Sequence, residues 1–309
     1  MNQLTQRLFS KSGLSYERLQ SFCEVAASGG ISVAVPGDPT RQSQFSRQIK
    51  ELEVFFEAEL FRRKRGRFEL TPAGRELFQI VQSHFSALQE LADRCAHQQV
   101  EIRIGAGESL LQWLMLPCLR DFRARHRTIT LVFENLQTEQ IVRKLMDGQL
   151  DIGLLRQEAV FSPLTCERLG QLEHMLVFPR QSPETIRKKD PWTMLAGHPV
   201  AVLEGSEITL ALERDATRRN IFLNAWLRGS SYSQLVEAVR SFGCAAVIPN
   251  LVTQALGQNM SRFPLPALRP YSRTLALAWN PKHCALRPAT LSSIQALAGQ
   301  LKRMLEDAK

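Results

Sequence analysis

The chain has 309 residues, with 39 Lys+Arg against 30 Asp+Glu and a formal net charge of +9. Hydrophobic residues make up 44% and charged residues 22%, which excludes global disorder and suits about two packed domains. No apolar run reaches the roughly 18 residues of a membrane span, and the opening MNQLTQRLFSKSGLS lacks the apolar core of a secretory leader.

The charge is spread out. Residues 1–100 carry a net +2 and residues 101–309 a net +7, so a nucleic-acid reading has to rest on local arrangement. Six cysteines (Cys23, Cys95, Cys118, Cys166, Cys244, Cys284) lie far apart without C-x-x-C spacing. That predicts mostly buried free thiols in a reducing cytoplasm and no metal site; no cofactor is expected.

In chain order, Ser15 is an N-cap candidate, and Leu19, Phe22, Cys23 and Ala26 follow at helical spacing until Gly29-Gly30. Ser32–Val35 fits one further turn before Pro36, Gly37 and Pro39. A second helix is predicted from Asp38–Thr40 to about Glu57, capped by Asp38 or Thr40. Phe45, Ile49, Leu52 and Phe56 share one sector of it. Ser43, Ser46, Arg47 and Lys50 lie opposite, and Arg41 and Gln42 occupy the first turn. A helix entering a major groove needs this division, although an ordinary surface helix shows it too. Leu60–Leu70 then reads as two short strands around Gly66 with five basic residues, the make-up of a phosphate-lining wing.

Thr71-Pro72 opens a long helix. Leu77, Val81, His84, Leu88, Leu91 and Cys95 recur at steps of four and three, a heptad seam that needs a partner, either a second copy or the chain's own domain. His84 reads as a packed interface residue, because no second metal ligand is near it in sequence. Strands are expected at Val100–Ala106, Ile129–Glu134 and Asp151–Leu155, with helices at Ser109–Arg125 and at Thr138–Met146, the latter capped by Thr138. This alternation implies a parallel sheet with ligand-facing loops at its strand C-termini.

Arg41–Phe78 resembles the recognition helix, wing and linker start of LysR-type transcriptional regulators. The resemblance rests on Ser46-Arg47-Gln48-Ile49, Leu52-Glu53, Leu60-Phe61-Arg62-Arg63 and Leu70-Thr71-Pro72-Ala73-Gly74. Ile102–His126, Leu145–Leu155 and Leu235–Asn250 are similar to segments of that family's effector domain. The chain departs from the pattern at Ser32–Pro39, where the family has an Ala-rich helix, and at Arg41-Gln42-Ser43, which replaces Ser-Gln-Pro.

The resemblance implies an α/β fold overall. It comprises an N-terminal winged helix-turn-helix (1–71), a linker dimerisation helix (72–98) and a two-subdomain, periplasmic-binding-protein-like effector domain (99–309). The chain would cross between subdomains near Phe161 and return near Leu268, giving subdomain I at about 99–160 and 268–309 and subdomain II at about 161–267. By matching position, Gln42, Ser43, Ser46 and Arg47 would contact double-stranded DNA, with Arg41 a local substitute and Lys50 a phosphate contact. Arg63, Lys64, Arg65 and Arg67 would supply the wing's phosphate contacts. Leu77, Val81, His84, Leu88 and Leu91 would join a homodimer, and the resemblance extends this to a homotetramer.

A small-molecule effector would sit in the cleft. Gly107 and Ser109 lie where the first strand meets a helix N-terminus, and Thr138, Ser206 and Ser230 lie at comparable junctions, where simple helix capping competes. Glu108 would repel an anionic effector or itself occupy the helix dipole, so a cationic or neutral effector fits, and so does none. The chain has no P-loop, G-x-S-x-G or H-E-x-x-H motif, so an enzyme is not expected. The alternative is a non-DNA-binding interaction or ligand-binding protein derived from such a regulator.

Overall fold

The computed structural model describes residues 11–64, 67–179, 190–253, 256–257 and 260–307. Ser15 caps α1 (Tyr16–Ser28) through the Arg18 N–H, and Gly29 ends it in the left-handed conformation. A single turn, α2 (Ile31–Ala34), stops at Val35 because Pro36 follows. Asp38 caps α3 (Pro39–Phe56) by accepting the Arg41 N–H at 3.0 Å, with Pro39 at the first helical position. The wing is an antiparallel pair, β1 (Phe61–Lys64) and β2 (Arg67–Leu70). Thr71 caps the linker helix α4 (Pro72–Cys95) by accepting the Gly74 N–H, while its hydroxyl donates to the Glu59 carbonyl.

Two expectations are corrected here. Phe55, not Phe56, completes the buried face of α3; Phe56 is exposed and meets Phe55 edge-on. Residue 55 is covered because the chain at Gly13 passes within contact of it. Leu77 and Val81 do not belong to a free seam. They are buried with Phe22, Leu52, Phe61 and Phe78 in the core of the N-terminal domain, because α1 and the wing cover the first turns of α4.

The first lobe begins with β3 (Val100–Ala106), a short turn α5 (Glu108–Leu110), a widened π-type turn at Leu111–Met115 and α6 (Leu116–Arg125). Next come β4 (Ile129–Asn135), α7 (Thr138–Met146), β5 (Ile152–Arg156) and β6 (Thr165–Leu172). The second lobe holds β7 (His174–Pro179), α8 (Pro191–Leu195), β8 (Pro199–Leu203), α9 (Glu207–Arg218), β9 (Asn224–Gly229) and α10 (Tyr232–Phe242). It continues with β10 (Ala245–Pro249), α11 (Asn250–Thr253) and β11 (Met260–Pro264). After a 3-10 turn at Pro266–Tyr271 the chain returns to the first lobe as β12 (Arg273–Trp279), α12 (Pro281–Cys284) and α13 (Pro288–Asp307).

Among the described residues each lobe has a five-stranded sheet, ordered β4-β3-β5-β12-β6 and β11-β7-β10-β8-β9. Strands β3, β4 and β5 are parallel, as are β8, β9 and β10, so their C-termini open toward one side of each lobe. Apolar residues of α6 and α13, such as Phe122, Leu297 and Leu301, cover the first sheet. The crossing comes later than the expected Phe161, because β6 pairs with β12 in the first sheet. It falls at Glu173, whose N–H and carbonyl are both held by Asn250, at 3.2 and 2.8 Å. Leu268 still packs in the second lobe, and the chain rejoins the first sheet at β12, which pairs with β5 and β6.

All six cysteines are free. Burial pushes the Cys23, Cys118 and Cys284 thiols up to about 12, so they are inert, whereas Cys95 is exposed. No helix among the described residues is long and apolar enough to cross a membrane, and these residues contain no metal-competent cluster of His, Cys, Asp and Glu.

Candidate nucleic-acid interface and sensor cleft

The reader face is built by fixing the inner side of α3. Gln48 points inward and its Oε1 accepts the Ser21 hydroxyl of α1 at 2.7 Å. Glu53 turns back to the wing, where its Oε1 accepts the Leu60 and Phe61 N–H groups at 2.9 and 3.4 Å. With Phe45, Ile49 and Leu52 buried, the outward row of α3 is Ser43, Ser46, Arg47 and Lys50, all exposed. Arg47 has 75% of its side chain exposed and lies 3.8 Å from Glu51, whose other oxygen holds Arg18 at 2.5 Å. The Arg41 guanidinium lies over the Phe45 ring, 5.7 Å from its centre.

Gln42 is the exception among the expected contacts. Its Nε2 donates to the Val35 carbonyl at 2.8 Å. In a continuing helix that carbonyl would receive the N–H of residue 39, but Pro39 has none. The Gln42 amide therefore satisfies the backbone where the departure at Ser32–Pro39 interrupts it. Thr40 and Gln44 are exposed near the outward row as well.

In the wing, Arg63 is exposed and stacks on Phe68, 5.3 Å from the ring centre, while Arg62 pairs with Glu69 at 3.4 Å. Lys64 and Arg67 face each other in the strand register. Arg65 lies outside the described residues. On α4, Leu88 and Leu91 are exposed, together with Ile80, which the heptad reading left out. His84 is also exposed, with its Nε2 2.9 Å from the Tyr16 hydroxyl.

Between the lobes the strand C-termini face one another. Glu108, just beyond Gly107, accepts the hydroxyl of Ser233 from α10 at 2.8 Å, and Gln112 lies 2.9 Å from the same oxygen. Arg273 donates to Glu207 at 2.9 Å, and Leu110 and Trp113 pack against the second lobe's core. The expected effector contacts divide. Gly107 and Ser109 belong to this junction. Ser206 accepts the Ile208 N–H and so caps α9, and Ser231 rather than Ser230 caps α10. Ser230 instead binds Gln234. Thr138 lies elsewhere, in a cavity of about 730 Å³ with Arg75, Gln79 and Phe161. Nor does Thr138 cap α7: Gln137 and Gln140 form a capping box there.

His174 lies at the crossover, with Nε2 3.2 Å from the Tyr232 hydroxyl. Burial, with Arg273 adding to it, pushes its pKa down to about 4. His174 is therefore neutral in the native state, whereas the unfolded chain takes up a proton below about pH 6.5. The native advantage is complete above 6.5 and lost as pH falls toward 4. The melting temperature of the wild type should fall through this window more steeply than that of His174→Gln. Parallel curves would remove His174 as the cause.

A winged helix-turn-helix joined by a long helix to a two-lobed α/β unit defines a DNA reader attached to a sensor. The model for "Bacterial regulatory helix-turn-helix protein, lysR family" matches residues 16–75, and that for "LysR substrate binding domain" matches residues 96–302. The chain belongs to the LysR family of transcriptional regulators. It is 27% identical over 250 residues to a "Probable nitrogen assimilation transcriptional activator" of Synechocystis sp., covering 78% of this chain and 80% of that one. To the "HTH-type transcriptional regulator HdfR" of Yersinia enterocolitica it is 30% identical over 156 residues, 50% of this chain and 53% of the other. Full-length OxyR from Pseudomonas aeruginosa, solved as a variant, has the same fold, with a TM-score of 0.61 at 18% identity over 94% of this chain and 95% of that one. Full-length CbnR complexed with its target DNA gives 0.51 at 16% identity over 94% and 100%.

Proposed function

We propose that this regulator reads duplex DNA with α3 in the major groove and the wing along the phosphates. The observation that carries the reading is the row Ser43, Ser46, Arg47 and Lys50, exposed on a helix whose opposite face is buried. Short hydroxyls and a forked guanidinium are groups that reach base edges, whereas Lys50, Arg63, Lys64, Arg65 and Arg67 suit the backbone. Ile80, His84, Leu88 and Leu91 form the dimer face, since a long helix with an exposed apolar row buries it against a second copy. The protein works in the cytoplasm and is not an enzyme.

The effector is a small molecule held where the strand C-termini of the two lobes meet, in contact with Gly107, Ser109 and the Glu108–Ser233 pair. The Glu108 carboxylate there favours a cationic or neutral ligand over an anion. A thermal-shift screen of metabolites tests this, because a ligand bound only by the native state raises the melting temperature with concentration.

DNA reading is tested by a salt-titrated mobility-shift assay on the region upstream of the protein's own gene. Arg63→Ala should weaken binding to specific and random DNA alike and lower the slope of log K against log salt by about 1. No preference of the wild type for its upstream region over random DNA would favour the interaction-protein reading instead.

A further inference from the structure

Glu90 is a charged residue in the middle of the linker helix, yet it is only 2% exposed. It is covered by Arg287, Thr290 and Ala289 of the first lobe. Its Oε1 accepts the Ala289 N–H at 2.9 Å, and its Oε2 accepts the Thr290 hydroxyl at 2.9 Å and Arg287 Nε at 3.2 Å. Ala289 and Thr290 form the first turn of α13, so a carboxylate from the linker satisfies the N-terminus of the longest helix in the sensor.

The network continues inward. Arg287 also binds Asp151, whose Oδ2 accepts the Arg103 N–H at 2.8 Å and whose Oδ1 lies 3.2 Å from His283 Nε2; Arg287 Nη1 lies 3.0 Å from that same nitrogen. His283 Nδ1 lies 3.3 Å from Ser83 Oγ, back on the linker. Gly148 lies against the His283 ring, where a Cβ would approach Nδ1 to 2.9 Å. Arg287, Asp151 and His283 are 5, 4 and 1% exposed. Beside them the junction is open, with a polar cavity of about 510 Å³ between linker residues Gln82, Ser86 and Gln89 and lobe residues Arg103, Glu134 and Lys144.

We propose that Glu90, Arg287, Asp151 and His283 form an ionic latch by which the first lobe grips the linker helix, so that making or breaking it decides whether reader and sensor move as one body. Two features carry this. The network joins groups from both parts, with the buried Glu90 carboxylate satisfied across the junction by Arg287, Ala289 and Thr290, and an open polar cavity lies beside it. Its inner end also lies in the right place. Asp151 immediately precedes β5, and Arg103 lies in β3, the two strands whose C-termini reach the sensor cleft. A displacement of those strands therefore acts on Asp151 and Arg287 before it reaches Glu90. The inference does not depend on which effector binds.

The test is amide hydrogen exchange on the full-length protein, wild type against Glu90→Gln and Arg287→Met. Glu90→Gln keeps the shape and lies on the linker, so it remains informative if Arg287→Met fails to fold. Exchange is expected to rise at least tenfold in two segments, 83–95 of the linker and 283–292 at the start of α13. Exchange in β3 and β12 should stay unchanged. Unchanged exchange in both segments for Glu90→Gln overturns the proposal. So does an equal rise throughout the first sheet, which would mark these residues as general stabilisers of the lobe.

Discussion

Gly74→Ala is expected to disrupt the N-terminal domain, although helix propensity alone argues the reverse. In a helix interior alanine is worth roughly 0.5–1 kcal/mol more than glycine. At position 74, however, a Cβ would stand 2.1 Å from the Leu60 carbonyl oxygen and 3.1 Å from Leu70 Cδ2. The carbonyl cannot move away cheaply. It accepts the Thr71 N–H at 3.0 Å, and the Leu60 N–H is held by Glu53. The linker helix has to back away from the wing, opening the core around Leu77, Phe78 and Val81. Overpacking of this kind costs about 1–3 kcal/mol, and more where backbone opposes backbone. Thermal unfolding should show an earlier transition for this domain, and operator affinity should fall at least tenfold. A variant that melts with the wild type would mean that the close approach at Leu60 is not a constraint.

Arg47→Ala is expected to have the largest effect on sequence discrimination. Its side chain is mostly exposed and its ion pair with Glu51 is long, so removing it leaves no buried charge. Glu51 retains Arg18. The loss should therefore fall on DNA binding alone. A bidentate base contact is worth about 1–3 kcal/mol of discrimination, which is about 5- to 150-fold in the ratio of specific to random affinity. Competition binding on both DNAs, at one fixed salt concentration, measures that ratio. Equal losses on the two would leave Arg47 as a phosphate contact like Lys50.

Local chemistry was legible in the chain, and pairing across distance was not. Ser15, Thr71 and Gly29 marked helix ends because a cap acts within three or four residues, and of the two candidates Asp38 and Thr40 the cap is Asp38. Periodicity found the stripe of α4 but could not say what covers it. Leu77 and Val81 face α1 and the wing, Glu90 faces the first lobe, and Ile80, Leu88 and Leu91 are exposed. The same limit misplaced the crossing between lobes, since nothing local tells β6 which sheet it will join. Capping was the competing reading at each serine or threonine junction, and Ser206 fulfils it. Nothing local marks Glu90 or Arg287 as buried, because the two partners lie almost two hundred positions apart in sequence. The function of several family residues became clear only with the structure. Gln48 and Glu53 flank or sit among reading positions, yet both serve the inner face.

The bond from Gln42 to the Val35 carbonyl has a consequence for engineering. Recognition helices are natural units to exchange between regulators when a new operator preference is wanted. In this chain the exchangeable unit does not begin at the Asp38 cap. Residues 35–42 form one piece, since the Val35 carbonyl lies before that boundary, while the proline that lacks a backbone donor and the glutamine that replaces it lie after it. A graft cut at residue 38 would leave the Val35 carbonyl unsatisfied in one chimera and a superfluous glutamine in the other. Substitutions at 39 and 42 should likewise be non-additive, so that a change which never meets DNA alters what a neighbouring one does to it.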